Sequence, residues 1–169
     1  SGQLILPEPL KLLPLATLGL IKNRVFNTGL SADDRSYLHA WISSMPVSVS
    51  LPFISPKLYS ILSIPERCCI PDQDNSNRVY LPPGLKLSMS SIQANGIYLL
   101  DNGQTLYLYI GSNPSNESLH AVFGNEPHHK ELYYDPNIHD SYSINARIVT
   151  LINSLRKFKP TFQVLNIIF

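Results

Sequence analysis

From Asn95 to Gly111 the chain reads Asn-Gly-Ile-Tyr-Leu-Leu-Asp-Asn-Gly-Gln-Thr-Leu-Tyr-Leu-Tyr-Ile-Gly, two aromatic-aliphatic runs joined through Asp101-Asn102-Gly103. β-Branched and aromatic residues favour strands, and an Asn-Gly pair tolerates the positive φ that a tight hairpin turn needs, so Ile97 to Leu100 is expected to fold back on Thr105 to Ile110 through a type I′ turn. Neither run alternates with polar residues. That pattern predicts a hairpin central to a sheet, covered by helices on each side. Gly111 closes the second strand, Ser112 to Asn116 opens a short helix over Glu117 to Phe123, and Gly124 stops it.

At 169 residues the chain is long enough for one domain, or for two small ones. Only 15% of residues are charged, against roughly 25% in ordinary soluble domains, while 44% are hydrophobic. This deficit of charge predicts surface that something else covers, as in a segment of a larger chain. The opening Ser1-Gly2, without an initiator Met, reads as a cleavage scar and fits the same expectation. A formal net charge of +1 supplies no bulk attraction to nucleic acid or to an anionic membrane, so the expected partner is protein. The strongly apolar stretch Leu10 to Ile21 carries Lys11 and falls short of the roughly 20 residues that cross a bilayer. The two cysteines, Cys68 and Cys69, are adjacent, which strains a mutual disulfide and leaves no framework of bridges; a reducing, cytosolic setting fits them.

Ahead of the hairpin the pattern is helical. Leu12, Leu15, Ala16 and Leu20 recur at helical spacing, and Pro14, tolerated only near a helix start, sets the beginning of the first helix. Ser31 is a natural N-cap for a second helix, with Asp33 and Asp34 in its first turn and Leu38, Trp41, Ile42 and Met45 as its buried stripe. Pro46 ends it. Val47, Val49 and Leu51 alternate with serines, which predicts an extended segment over Val47 to Ile54, and Ser55-Pro56 then predicts a third helix through Leu58, Tyr59, Ile61 and Leu62. The polar run Pro71 to Asn77 reads as a linker and sets the boundary between a helical domain at 1–70 and a sheet domain at 71–169. Glu126 to His139 reads as a long excursion from the core. A last helix is expected from about Ser141 to Lys157 with Ile144, Ile148, Leu151, Ile152 and Leu155 inward, and a closing strand over Phe162 to Phe169.

Taken in order, Leu12-Leu-Pro-Leu-Ala-Thr-Leu-Gly-Leu-Ile-Lys22, Asp33-Asp-Arg-Ser-Tyr37, Met45-Pro-Val-Ser-Val-Ser-Leu-Pro-Phe-Ile-Ser-Pro-Lys-Leu-Tyr59, Leu81-Pro-Pro-Gly-Leu-Lys-Leu-Ser88 and Gly96-Ile-Tyr-Leu-Leu-Asp-Asn-Gly103 resemble the Sec24 branch of the Sec23/Sec24 family, the cargo adaptors of the COPII vesicle coat. Each motif alone is only a cap, a Pro-rich turn or a hairpin; the ordered set carries the likeness. The resemblance implies the carboxy-terminal region of such a subunit, an α+β arrangement in which a helical segment precedes a gelsolin-like mixed sheet flanked by helices. It implies a non-catalytic role supporting cargo packaging and coat assembly in transport from endoplasmic reticulum to Golgi. The Sec23-branch subunit of the inner coat is the implied protein partner, and the implied location is the cytosolic face of the endoplasmic reticulum membrane and coated vesicles. The family's zinc ribbon, trunk and β-sandwich are absent from these residues, so no cofactor, and zinc in particular, is expected in this segment. The alternative is a free gelsolin-homology module that binds actin.

Specific chemistry finds little foothold. Asp33, Asp34 and Arg35 read as a helix start with a local ion pair. His120, His128, His129 and His139 lack cysteine partners and any HExxH spacing, and Cys68-Cys69 lacks a second pair, so neither set reads as a metal site. Gelsolin-like repeats of the actin-severing class hold calcium with an acid at the start of a core strand and a helix glutamate. Here that strand starts at Asn95-Gly96, leaving Glu117 without the further carboxylates a hard cation wants. Asn116-Glu-Ser118 matches a glycosylation sequon, expected to stay unmodified in the cytosol. No Gly-x-Ser-x-Gly elbow or phosphate-cradling glycine loop occurs, so no catalytic, cofactor-binding or metal-ligating residue is nominated and no enzyme is expected. The Tyr107/Tyr109 face and the strand from Phe162 to Phe169 serve either the core or a partner surface.

Overall fold

A computed structural model describes residues 7–26, 29–70, 78–124, 132, 142–157 and 159–169. By its internal contacts the chain divides into two compact units, Ser1–Ser55 and Pro56–Phe169.

The first unit is helical. Helix α1 (Leu13–Ile21) carries Pro within its first two positions, where the missing N–H is not needed. None of its residues is buried, and Leu12, Leu13, Leu15, Leu18 and Ile21 stand exposed. Helix α2 (Ala32–Ser44) is capped as the sequence predicts: Ser31 Oγ accepts from the Asp34 backbone N–H at 3.1 Å. Its inward stripe brings Leu38 and Trp41 onto Val25, Val49 and Phe53, with Leu30, Ile42 and Met45 at the margin. The Trp41 and Phe53 rings lie 5.1 Å apart and tilted, an arrangement aromatic pairs favour.

Val49 and Phe53 come from a helix, α3 (Val47–Ile54), where the alternation with serines predicts an extended segment. Pro46 sits at its N-cap, and Val49, Ser50, Pro52 and Phe53 turn inward. The serines that mimic a period of two are tolerated because Ser50 Oγ bonds back to the Pro46 carbonyl at 3.3 Å, a local bond small hydroxyls make inside helices.

The second unit is built on a four-stranded sheet in the order β1 (Lys57–Ser60), β2 (Ile97–Asp101), β3 (Thr105–Ile110), β4 (Val164–Ile168). β1 replaces the helix expected from Ser55. Leu58, Tyr59, Ile61 and Leu62 do fall at helical spacing, but antiparallel pairing of Leu58 with Leu100 and Tyr59 with Leu99 satisfies the backbone and buries Tyr59 in the core, which an isolated turn of helix would not. Its membership of the sheet puts residues 56–70 in the second unit.

The β2–β3 hairpin forms with Leu99 opposite Leu108. Its connection is not the I′ turn: only Gly103 has positive φ, and side chains hold the loop instead. Asp101 Oδ1 accepts from the Gly103 N–H at 2.8 Å, and Asn102 Oδ1 accepts from the N–H groups of Gln104 and Thr105. β4 then runs parallel to β3, which requires a crossover, and the helices α4 (Asn116–Phe123) and α5 (Ile144–Arg156) lie on that crossover. α4 ends at Gly124, whose φ of 72° few other residues adopt. α5 starts at the Ser143 cap, inside the expected Ser141 boundary.

Alternation across the pleat gives the sheet two unlike faces. Tyr59, Ile97, Leu99, Leu106, Leu108 and Ile110 point to the core side, where Val122 and Phe123 of α4 and Ile148, Leu151, Ile152 and Leu155 of α5 pack against them. Asn145 Nδ2 donates to the Val122 carbonyl at 2.7 Å, locking α5 to α4. Among the described residues both helices thus cover one face of the mixed sheet. The hairpin's unbroken hydrophobicity predicts helices on both sides; the second face is apolar for another reason. The linker expected at Pro71 to Asn77 and the excursion at Glu126 to His139 lie outside the described residues, apart from Leu132.

Candidate interface on the open face of the sheet

On the face turned away from α4 and α5, strand register aligns two rows of side chains. Leu58, Leu100 and Tyr107 are successive cross-strand partners, as are Tyr98, Tyr109 and Ile168. Tyr98 and Tyr109 stack with ring centroids 6.5 Å apart. Tyr98 is 4% exposed despite lying on this face, and its hydroxyl accepts from the Gln93 N–H at 2.8 Å, fixing the segment that leads into β2. That segment is the wall of a groove. The Leu85 N–H donates to the Leu58 carbonyl at 2.7 Å, and a single 3-10 turn, Met89–Ser91, is capped by Ser88 Oγ.

The groove encloses about 530 Å³ and is lined by Leu58, Leu87, Ser88, Met89, Ile92, Leu100, Tyr107, Tyr109 and Ile168. No charged side chain is among them. Met89 is 81% exposed and Leu87 54%. Thioether and aliphatic side chains adapt readily to an apolar partner surface, so this face is suited to contact. β4 extends the apolar surface to the sheet edge, with Val164 and Ile168 exposed, and Phe162 and Phe169 exposed on either side of the strand. The Arg156 guanidinium lies 4.3 Å from the Phe162 ring centroid, and desolvation holds its pKa below the usual arginine value.

Several buried ionisable groups of the second unit hold structural contacts. At one end of the sheet, buried Asp101 accepts from Gln163 Nε2 at 2.8 Å and faces Lys159 Nζ at 3.5 Å. On α5, the buried Arg147 guanidinium donates to the backbone carbonyls of Ile64, Pro65 and Cys68. Burial pushes the Tyr59 hydroxyl up to about 12, helped by the Asp101 charge, and pushes the fully buried Cys69 thiol up to about 12 as well, which leaves it a poor nucleophile at neutral pH.

The other residues weighed from sequence are dispersed. Asp33 and Asp34 occupy the first turn of α2, and Ser31 Oγ donates to Asp34 Oδ2 at 2.7 Å. Glu117 and Asn116 open α4, and His120 Nδ1 lies 3.2 Å from the Gly124 carbonyl. Cys68 Sγ reaches the Leu81 carbonyl at 3.7 Å. His128, His129 and His139 lie outside the described residues. Among the described residues no three His, Cys, Asp or Glu side chains stand close enough to hold a metal ion, and no helix is long and apolar enough to cross a membrane.

The sequence singles out Tyr107, Tyr109 and the closing strand but not the rest of the groove: Leu58, Leu87, Ser88, Met89, Ile92 and Leu100. The signal present was the shared parity of Tyr98, Leu100, Tyr107 and Tyr109 across a two-strand register, which marks one face. The helical spacing of Leu58, Tyr59, Ile61 and Leu62 hides the strand that brings Leu58 to this face.

Comparison with known proteins agrees with the two units. Residues 1–52 match the family model described as the Sec23/Sec24 helical domain, and residues 78–128 match that of the gelsolin repeat. The chain is 36% identical over 123 residues to "Protein transport protein SEC24 C" of Arabidopsis thaliana, covering 73% of this chain and 11% of that protein. It is 37% identical over 126 residues to "Protein transport protein SEC24" of Pyricularia oryzae, covering 73% of this chain and 13% of that one. Among solved structures, the crystal structure of the human COPII-coat protein Sec24c superposes on 99% of this chain and 22% of its own, with a TM-score of 0.75 at 26% identity. The chain therefore spans between a tenth and a quarter of the length of these relatives.

Proposed function

We propose, from the fact that this chain is of the Sec24 kind and joins that family's helical segment to a gelsolin repeat, that it is a non-catalytic part of a COPII vesicle-coat adaptor. In this reading it works by burying surface within the longer protein and against neighbouring coat subunits, the Sec23-type partner among them. It thereby supports cargo packaging and coat assembly on the cytosolic face of the endoplasmic reticulum, on the way to the Golgi. The observation that carries the reading is the likeness to Sec24c along 99% of the chain, helical unit and sheet unit together. A gelsolin repeat working alone would need only the second. The uncharged groove, the exposed leucines of α1 and the low charge content all suit a segment that meets other protein surfaces.

The test is a reconstituted budding reaction on liposomes with a longer Sec24-type protein in which this chain replaces the matching segment. Vesicle formation and co-recruitment of the Sec23-type subunit with the swapped protein, and their loss when the segment is deleted, support the reading. Co-sedimentation of the isolated chain with actin filaments, together with normal budding after deletion, overturns it in favour of an actin-binding module.

A further inference from the structure

We draw no further inference here: the strongest candidate, the uncharged groove between the Leu87–Ile92 segment and the open face of the sheet, is the interface already described, and nothing in the structure shows what covers it.

Discussion

The Gln163 side-chain amide donates to Asp101 Oδ1 at 2.8 Å, joining two buried residues 62 positions apart in the chain. Asp101 ends β2 and Gln163 precedes β4, so the bond fixes where the crossover returns to the sheet. The same carboxylate accepts from the Gly103 N–H in the hairpin loop and faces the Lys159 ammonium. One side chain thereby couples the hairpin to the parallel strand.

Removing that carboxylate strands a buried cation and two donors. Asp101→Ala is expected to cost about 3 kcal/mol of unfolding free energy, in the range for breaking a buried pair from one side. Asp101→Ala with Lys159→Met should cost less than Asp101→Ala alone, because the unpaired charge goes with it. Urea unfolding of the three proteins measures this; a double variant no more stable than the single one would show that Lys159 is not held by Asp101.

Arg147 acts on a different segment. Its guanidinium gathers the carbonyls of Ile64, Pro65 and Cys68, a part of the chain with no regular structure of its own. Arg147→Met keeps much of the side-chain volume and takes the guanidinium donors from those carbonyls, of which Pro65 keeps the bond from the Cys68 N–H, so a loss of about 2–4 kcal/mol is expected. Hydrogen exchange should rise around residues 64–69 before it rises in β2. Uniform exchange across the sheet unit would contradict this role.

Alkaline pH should unfold the sheet unit through two groups. Cys69 and Tyr59 ordinarily titrate at 9.0 and 10.0, and each is raised to about 12. Between those values the folded chain keeps protons that the unfolded chain releases. Stability is therefore fully present below about pH 9 and falls as pH rises towards 12. The slope reaches at most about 1.4 kcal/mol per pH unit for each group. Cys69→Ala should flatten the early part of the fall whatever it does to stability at pH 7. An unchanged slope between pH 9 and 10 would rule out the thiol.

Two glycines separate close approach from open space. A Cβ on Gly111 would press into the Ala94 carbonyl, whereas one on Gly84 would meet the Leu58 carbonyl at an ordinary 3.7 Å. Gly111→Ala is expected to cost about 2 kcal/mol, as forced overpacking does. Gly84→Ala should be neutral or slightly stabilising through the unfolded chain. Thermal unfolding of the pair checks the order, and equal midpoints would refute it.

Local signals were legible wherever one element supplies its own evidence. The Ser31 cap, the Leu38–Trp41 stripe, the paired runs around Asp101-Asn102-Gly103, the Gly124 stop and the inward face of α5 all depend on residues within a few positions of one another. Asn-Gly by itself points to an I′ turn, but the Asp101 and Asn102 side chains bond the loop and let Asn102 avoid positive φ. Val47–Ile54 is a helix and Lys57–Ser60 a strand, the reverse of what their residue patterns predict, because short apolar runs fit both periods.

The amino-acid sequence by itself determined the kinds of most elements, many element ends and the likeness to Sec24-type proteins, since capping, turn chemistry and motif order are written within short stretches, but not the kinds of α3 and β1. Tertiary structure alone decided that β1 joins the sheet beside β2, that β4 returns parallel to β3, and that α4 and α5 share one face. It also placed Leu58, Leu100, Tyr107 and Ile168 on the other face as one groove. These are pairings between distant residues, chosen by which arrangement satisfies every strand's backbone and buries the most apolar surface at once, and no local pattern specifies that sum.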